Sequence, residues 1–319
     1  MAGQPKALRG FLNIDKPAGI TSFDVVRQIR RAAGIRKVGH AGTLDPAATG
    51  VLPIAIGDAT KLIEELVDAH KGYRGVIRFG AATDTYDSDG EVVSECDASG
   101  ITREAIEAQL DQFRGLIQQV PPAFSAVKRD GEPAYRAARR GEPLELDARP
   151  VTVYDLSVGD LDTSDAKRPA ISVDIRCSRG FYVRSLAHDL GAALGVGAHL
   201  DGLCRTAVGT FTVERSTPLE RACELLDAGE TNDLVHALDA VLTKWPGVIV
   251  GRREAADLRQ GRDIIAMPRR EYRAPERVEG KPQRARCYGP DGELIALLEQ
   301  GLVVGAWHPY RVVPPLSSG

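Results

Sequence analysis

Residues 37–61 read KVGHAGTLDPAATGVLPIAIGDATK, and this stretch organises the interpretation of the whole 319-residue chain. Its four glycines allow tight turns and a close approach of the backbone to a ligand. Asp45 stands at a turn that Pro46 makes rigid, and apolar residues follow it. The pattern predicts a reactive loop between two apolar strands that presents one fixed carboxylate. An Asp before a Pro is also typical of a turn or helix cap with no catalytic role.

Length and composition indicate a globular protein with two domains or one large one, because 43% of the residues are hydrophobic. The chain contains no run of about 18 apolar residues, and its N-terminus MAGQPKALRG lacks the apolar core of a signal peptide. We therefore expect a cytoplasmic protein with no membrane association. The net charge is only −3, so a nucleic-acid partner would need a local basic surface.

The sequence contains no pattern that predicts a metal or cofactor site. The five cysteines never form a C-x-x-C pair, and the six histidines have no H-E-x-x-H spacing. The glycines of residues 37–61 fit neither of the common phosphate-binding loops. The run DTYDSDG at 84–90 fails as a calcium loop, because aligning Gly90 puts Cys96 where a bidentate Glu is needed. We interpret that run as a hairpin turn and predict no cofactor.

Hydrophobic periodicity predicts the strands and helices of an α+β fold. Thr21 or Ser22 can cap a helix that ends at Gly34. Its predicted inward stripe consists of Phe23, Val26, Ile29 and Ala33. Arg27, Arg30 and Arg31 form the other side, either a solvated face or a patch that follows phosphates. Further helices are predicted near 58–69, 102–113, 183–194, 218–228, 231–241 and 252–260.

Two compositional changes divide the chain. Residues 125–149 are polar and basic and interrupt the strands on both sides, which indicates a basic insertion with one short helix near Pro133. After about residue 245, short apolar strands predict a small β-rich second domain at 246–319, following a larger first domain at 1–245 that carries Asp45. The Arg-rich segment 267–286 is too polar and Pro-rich for a core, and we interpret it as a disordered insertion of unassigned role.

Five motifs occur together in one order: NIDKPAG, GHAGTLDPAATGVL, YRGVIRFGAATDTYDSDG, PPAFSAVKRDGEPAYRAAR and SRGFYVRSLAHDLG. Over roughly residues 10–215 the chain resembles the bacterial tRNA pseudouridine synthases that modify uridine 55 in the T-arm. The tail resembles, more loosely, a PUA domain, an RNA-binding module. The resemblance implies a pseudouridine synthase fold, in which a mixed, largely antiparallel sheet is flanked by helices. It also implies the T-arm stem-loop of tRNA as partner, no cofactor and no obligate protein partner.

The resemblance also implies roles for individual residues. It makes Asp45 the catalytic nucleophile and Arg184 the cation that pairs with it. Tyr73 is expected to stack on the target base, and His40 to pack into the T-loop and hold the target nucleotide extruded. The positions of Tyr182 and Leu203 match substrate-contacting positions of the family.

The chain departs from the family pattern at two positions near these residues. Ala41 replaces the usual Thr, and Cys204 replaces the usual Arg, which removes one cationic group beside Leu203.

Two other functions remain as alternatives. One is an RNA-binding or tRNA-folding factor, in which the basic surfaces matter most. The other is a hydrolase acting on a small glycoside, for which the sequence offers no second carboxylate at a matching site.

Overall fold

The computed structural model describes residues 8–129, 131–266, 282–301 and 305–315. Its α-helices are α1 Ser22–Ala33, α2 Ile63–Val67, α3 Arg103–Gln109, α4 Ala134–Arg139, α5 Val183–Ala193, α6 Leu219–Ala228 and α7 Arg252–Arg259. Its 3-10 helices are Gly57–Leu62, Leu110–Phe113, Val213–Arg215 and Leu238–Val241. Its strands are β1 Gly10–Lys16, β2 Val38–His40, β3 Thr49–Ile56, β4 Lys71–Phe79, β5 Ala81–Thr83, β6 Val92–Glu95, β7 Gly115–Gln119, β8 Lys128–Arg129, β9 Glu132–Pro133, β10 Arg149–Asp162, β11 Ala170–Cys177, β12 Ala198–Val208, β13 Phe211–Thr212, β14 Thr217–Pro218, β15 Gly247–Ile249, β16 Ile264–Ile265, β17 Arg284–Tyr288, β18 Leu294–Gln300 and β19 Ala306–Val312.

A large mixed sheet runs through the first two-thirds of the chain. Its strand order is β14-β1-β3-β12-β4-β11-β10-β7, with β2 paired to β3 and β13 paired to β12. Within the described residues, the β1–β14 and β3–β12 pairs are parallel and the other pairs of this sheet are antiparallel. The α+β class and the largely antiparallel sheet are therefore confirmed.

Helix α1 begins and ends at sequence signals that were visible beforehand. The Thr21 side chain accepts a hydrogen bond from the backbone N–H of Asp24, whose carboxylate accepts one from the Thr21 N–H, which is a capping box. Gly34 ends the helix in the left-handed conformation. The predicted inward stripe was wrong at Phe23, which is 62% exposed, whereas Val25 is fully buried. The apolar face of α1 is therefore turned by about one residue from the predicted one.

Two groups of buried side chains flank the sheet on the side of its helices. One packs α3 and α5 against β4, β10 and β11 and includes Ile77, Val173 and Leu186. The other packs α1 and α6 against β1 and β3 and includes Ile14 and Ile54. Leu203, on β12 between these halves, contacts both groups. The centre of the sheet is thus the seam where the two halves of the core meet.

Three adjacent central strands place residues of the first motif beside residues far away in sequence. Gly50 on β3 pairs with Arg205 on β12, and Arg205 pairs with Tyr73 on β4. Paired residues on neighbouring strands put their side chains on the same face of a sheet. The loop of Asp45, which enters β3, therefore lies next to the side chains of Arg205 and Tyr73.

A second, smaller sheet follows residue 246, with the strand order β15-β17-β18-β19-β16. The small β-rich part of the predicted fold is therefore present. At its contact with the first sheet, the Arg284 guanidinium lies 4.7 Å from the centre of the Tyr310 ring and 3.4 Å from a Glu65 oxygen. The Tyr310 hydroxyl donates a hydrogen bond to Glu65. These contacts join the two sheets through α2, the helix that carries Glu65.

Several local expectations needed correction. Residues 231–241 do not form an α-helix; only Leu238–Val241 is helical, as a 3-10 turn. In the Arg-rich segment 267–286, residues 267–281 lie outside the described residues. The end of that segment is ordered, because β17 begins at Arg284 and Arg286 is 7% exposed. The basic insertion has the predicted short helix, α4, after a small hairpin of β8 and β9 that was not predicted.

No helix in the described ranges has both the length and the apolar character needed to cross a membrane.

We predict that Gly50→Ala destabilises the protein by roughly 2–4 kcal/mol, because the new methyl group would overpack a strained position. Gly50 has a φ of 98°, and an added Cβ would lie 2.3 Å from the Arg205 carbonyl oxygen. Chemical denaturation measures the change. Gly202→Ala is the matched control on β12, where an added Cβ meets nothing within 4 Å. Equal stability of the two variants would contradict the close β3–β12 approach.

Candidate active site

The loop that carries Asp45 is fixed on both sides of that residue. The buried Ser22 hydroxyl, at the start of α1, accepts a 2.9 Å hydrogen bond from the Leu44 N–H. The Pro46 carbonyl accepts hydrogen bonds from the Lys16 ammonium at 3.1 Å and from the Gly19 N–H at 2.9 Å. The loop has no regular secondary structure of its own, so these contacts define the position of the carboxylate.

Arg184, in the first turn of α5, is the residue that connects Asp45 to the rest of the site. Its Nη2 lies 3.0 Å from Asp45 Oδ2, and its Nη1 lies 3.3 Å from Asp87 Oδ2. The same two nitrogens donate to the backbone carbonyls of Phe124 and Thr85. The Arg184 side chain is 8% exposed, whereas that of Asp45 is 47% exposed. The cation is therefore buried and fixed, and the carboxylate it holds is open to a substrate.

Asp87 is a site residue that the sequence reasoning missed. It was interpreted only as part of the DTYDSDG turn, and the β5–β6 pairing confirms the hairpin. Its Oδ1 accepts a 2.6 Å hydrogen bond from the Thr85 hydroxyl, while its other oxygen faces Arg184. The available signal was a turn with three Asp residues, more than a hairpin needs. Arg184 thus joins two carboxylates from separate parts of the chain.

Arg205 is a second site residue that the sequence reasoning missed, and it holds the same loop through hydrogen bonds. It is 1% exposed and donates hydrogen bonds to the carbonyls of Val51, Thr43 and Gly42 at 2.8, 3.2 and 3.0 Å. Burial lowers the pKa of this guanidinium, and the neighbouring Tyr73 and Asp45 oppose that effect. Little in the sequence signalled this role, because β12 also carries the polar residues His199 and Asp201.

Tyr73 lies between Arg205 and the core. The Tyr73 side chain is partly buried against the α3/α5 group, and Tyr73 pairs with Arg205 on the neighbouring strand. Burial raises the pKa of the phenol, and the positive charge of Arg205 works in the opposite direction. The structure therefore keeps a protonated phenol within electrostatic range of Asp45.

Tyr182, the residue before α5, is positioned through its backbone. The Gln119 side chain accepts a hydrogen bond from the Tyr182 N–H at 2.8 Å and donates one to its carbonyl at 3.0 Å. Burial raises the pKa of the Tyr182 hydroxyl, and the neighbouring Ser125 side chain opposes that shift. Arg184 and Asp45 both act on that hydroxyl electrostatically, so Tyr182 belongs to the same site.

His40 and Leu203 lie at the margins of this cluster. His40 is on β2, where it pairs with Ile54, and both burial and the charge of Arg205 lower its pKa. Leu203 is partly buried, and its carbonyl lies 3.5 Å from the Thr49 hydroxyl. Cys204, the residue after Leu203, pairs with Thr49 on β3 and Arg74 on β4.

The site has the charge pattern expected for an open carboxylate held by fixed cations. Arg184, Lys16 and Arg205 all act electrostatically on Asp45 or bond to it. Burial lowers the pKa of Lys16, and Asp45 opposes that shift. Among the described residues, no group of three or more His, Cys, Asp and Glu side chains is arranged to hold a metal ion.

Comparison with known proteins shows the family. Residues 30–183 match the TruB family pseudouridylate synthase N-terminal domain, and residues 184–243 match the tRNA pseudouridylate synthase B C-terminal domain. A tRNA pseudouridine synthase B of Geobacter sulfurreducens is 46% identical over 295 residues, which cover 92% of this chain and 91% of that protein. The chain belongs to the TruB family of pseudouridylate synthases. A second TruB relative, from Arthrobacter sp., is 43% identical over 91% of this chain and 92% of its own length.

Solved structures share the fold. A chain in the structure of an H/ACA RNP bound to a substrate RNA containing 2'-deoxyuridine gives a TM-score of 0.71 at 23% identity, covering 97% of this chain and 86% of that one. A chain of a Cbf5-Nop10-Gar1 complex gives 0.68 at 25% identity, covering 96% and 85%. As a TruB enzyme, the protein is an isomerase that converts uridine to pseudouridine.

We predict that Arg184→Lys lowers the single-turnover rate of pseudouridine formation at least 100-fold. A lysine ammonium cannot reproduce the planar arrangement that serves two carboxylates and two carbonyls at once. Arg179→Lys is the matched control, because Arg179 is 65% exposed and pairs with Asp68 alone among the contacts of the described residues. A rate for Arg184→Lys within about threefold of the wild type would show that the fork geometry is unimportant.

Proposed function

We propose that this protein isomerises uridine 55 in the T-arm of tRNA to pseudouridine in the cytoplasm, with Asp45 as the nucleophile. The observation that carries the proposal is the open carboxylate of Asp45, held at 3.0 Å by the buried Arg184. The assignment of tRNA as the substrate is supported by the relatives of this protein, which are tRNA pseudouridine synthases. The T-arm target is supported by the ordered motifs that resemble enzymes acting there.

The reaction requires no atoms beyond those of the nucleotide. The bond from N1 to C1′ breaks, the uracil turns within the site, and C5 bonds to C1′. The proton that leaves C5 is balanced by one gained at N1. Asp45 supplies covalent assistance while the base is detached. Arg184 and Lys16 hold positive charge beside that carboxylate throughout, so its position does not depend on solvent.

The remaining residues of the cluster suit a flipped nucleotide. Tyr73 offers a ring for stacking on the target base, and its phenol lies within electrostatic range of Asp45. Removal of the C5 proton by Tyr73 would need the ionised phenol, and the positive charge of Arg205 favours that form. Tyr182 and Leu203 border the same space and contact the extruded uridine. His40, on the other side of the loop, packs into the T-loop and offsets the few kcal/mol of lost stacking.

Binding of the tRNA outside the site would involve two further regions. In the basic insertion, Lys128, Arg136 and Arg139 are exposed. Residues 246–319 would act as a PUA-like RNA-binding domain following the catalytic domain at 1–245. The enzyme would need no obligate protein partner and no cofactor for this reaction.

The arrangement fits a glycoside hydrolase poorly, although Asp87 is the second carboxylate that the sequence did not reveal. Asp87 is 21% exposed, and its oxygens are engaged by Arg184 and by the Thr85 hydroxyl. A hydrolase needs its second carboxyl group free to transfer a proton to the leaving group or from water. Asp87 instead serves as a counter-ion to Arg184.

We predict that Asp45→Asn binds unmodified tRNA with wild-type affinity but forms no measurable pseudouridine. The amide keeps the size of the side chain and loses its nucleophilic oxygen. Filter binding and tritium release from C5-labelled tRNA measure the two properties.

Asp58→Asn is the matched control within the same segment, because Asp58 contacts the exposed Lys37 and Lys61 outside the site. It should retain full activity. Substantial turnover by Asp45→Asn would refute the assignment of the nucleophile.

Lys128→Ala/Arg136→Ala should weaken tRNA binding, leave the rate at saturation unchanged, and reduce the slope of log affinity against log salt by about one per lost phosphate contact. Both residues are exposed on the insertion. Binding measured at several salt concentrations tests this. An unchanged salt slope would remove the insertion from the RNA-binding surface.

A second role, in helping tRNA to fold, is favoured by the same exposed cations, which lie outside the catalytic cluster. If it exists, Asp45→Asn should promote folding of a denatured tRNA as well as the wild type does. Loss of folding assistance together with the carboxylate would argue against this role.

A further inference from the structure

Tyr86 has an unusual backbone conformation beside the active site. Its φ is 64°, and it is the one non-glycine residue with a left-handed φ in the described part of the chain. A side chain with a Cβ pays an energetic cost in this conformation, so such a residue persists only where its surroundings enforce it. Tyr86 immediately precedes Asp87, the second carboxylate on Arg184.

The Tyr86 ring is stacked on an aromatic residue of α5, the helix that carries Arg184. Its centroid lies 3.9 Å from that of His188, and the two ring planes meet at 22°. His188 is held in turn by a 3.1 Å contact between its Nδ1 and Asp189 Oδ1. His188 follows Arg184 by four residues on α5, so the two side chains project from the same face one turn apart.

The turn is therefore attached to α5 at two successive points. The Tyr86 ring meets His188, and the Asp87 carboxylate meets Arg184. The backbone is tied to β12 on either side, since the Tyr86 carbonyl accepts from the Leu200 N–H at 3.0 Å and the Ser88 N–H donates to the Leu200 carbonyl at 3.0 Å. These bonds fix where the turn lies, and the Thr83 hydroxyl adds one by donating to the Asp87 carbonyl at 2.7 Å.

We infer that Tyr86 is a positioning residue for the isomerisation. Its stack on His188 holds the left-handed conformation that aims Asp87 at Arg184, and through Arg184 it fixes Asp45. The inference rests on the role of Asp45 proposed above. It assigns no contact with the RNA to Tyr86 or to His188.

Alanine and glycine at residue 86 should have different effects on the rate. Alanine removes the ring but still disfavours a positive φ, so the turn relaxes and Asp87 leaves Arg184. Glycine also removes the ring, yet it adopts a positive φ freely and keeps Asp87 in place. A ring that acted through packing alone would give the opposite order, because glycine would be at least as harmful as alanine.

The test compares Tyr86→Ala, Tyr86→Gly and Tyr86→Phe in the full chain. It measures the single-turnover rate on a T-arm stem-loop at saturating enzyme, together with RNA affinity and melting temperature. Tyr86→Ala should be about tenfold slower with unchanged affinity, and the glycine and phenylalanine variants should recover to within about threefold of the wild type. His188→Ala should match Tyr86→Ala, and the double variant should be no slower than either.

Three results would contradict the positioning role of Tyr86. A wild-type rate for Tyr86→Ala, a glycine variant as slow as alanine, or a loss confined to affinity would each overturn the inference. Tyr154→Ala, which removes a ring that is 51% exposed elsewhere, is the control for loss of an aromatic side chain. Asp45→Asn is measured in parallel: activity in that variant refutes the proposed function, whereas its inactivity with fast Tyr86→Ala refutes this inference alone. If Tyr86→Ala melts before assay, the His188→Ala and His188→Phe pair gives the same comparison from the other ring.

Discussion

The site depends on one buried guanidinium that pairs with two carboxylates from different parts of the chain. Arg184 meets Asp45 and Asp87 and also donates to two backbone carbonyls, so its nitrogens are shared among three loops. Burying a cation is costly unless it is paired and fully hydrogen-bonded. The loops supply the acceptors that allow Arg184 to be buried. The same hydrogen bonds and ion pairs hold the loops in place around Arg184.

A second buried arginine links this cluster to the sheet. Arg205 bonds to three carbonyls of the Asp45 loop and the strand that follows, and it reaches Tyr73 on the neighbouring strand. The parallel approach of β3 and β12 brings it there, and that approach leaves no room for a side chain at Gly50. The irregular loop is therefore held by the most regular part of the fold. A carboxylate on such a loop can be presented to a large substrate without being mobile.

The distribution of charge explains how a chain with a net charge of −3 can belong to a family of tRNA enzymes. The cations that matter are local and of two kinds. Those at the site, such as Arg184 and Arg205, are buried and matched by acceptors. Those on the basic insertion, such as Lys128 and Arg136, are exposed and available to phosphates. Overall charge is the sum of these and many surface acids, so it carries little information about either role.

The sequence by itself determined most of the helices and pointed to Asp45 as the first carboxylate. Capping signals set the bounds of α1 at Thr21 and Gly34, because such signals act over a few neighbouring residues. The motif around Asp45 and its resemblance to a family pointed to the reaction. The local pattern wrongly placed Phe23 on the buried face of α1. Which face of a helix is buried depends on the elements that pack against it. Only the tertiary structure decided that Asp87 shares Arg184 with Asp45, that Arg205 supports the loop, and that Tyr86 is held left-handed against His188. These contacts join residues that are tens to more than a hundred positions apart in the chain. They arise from the pairing of strands and from the need of two buried guanidinium groups for acceptors. Neither cause leaves a local pattern in the sequence.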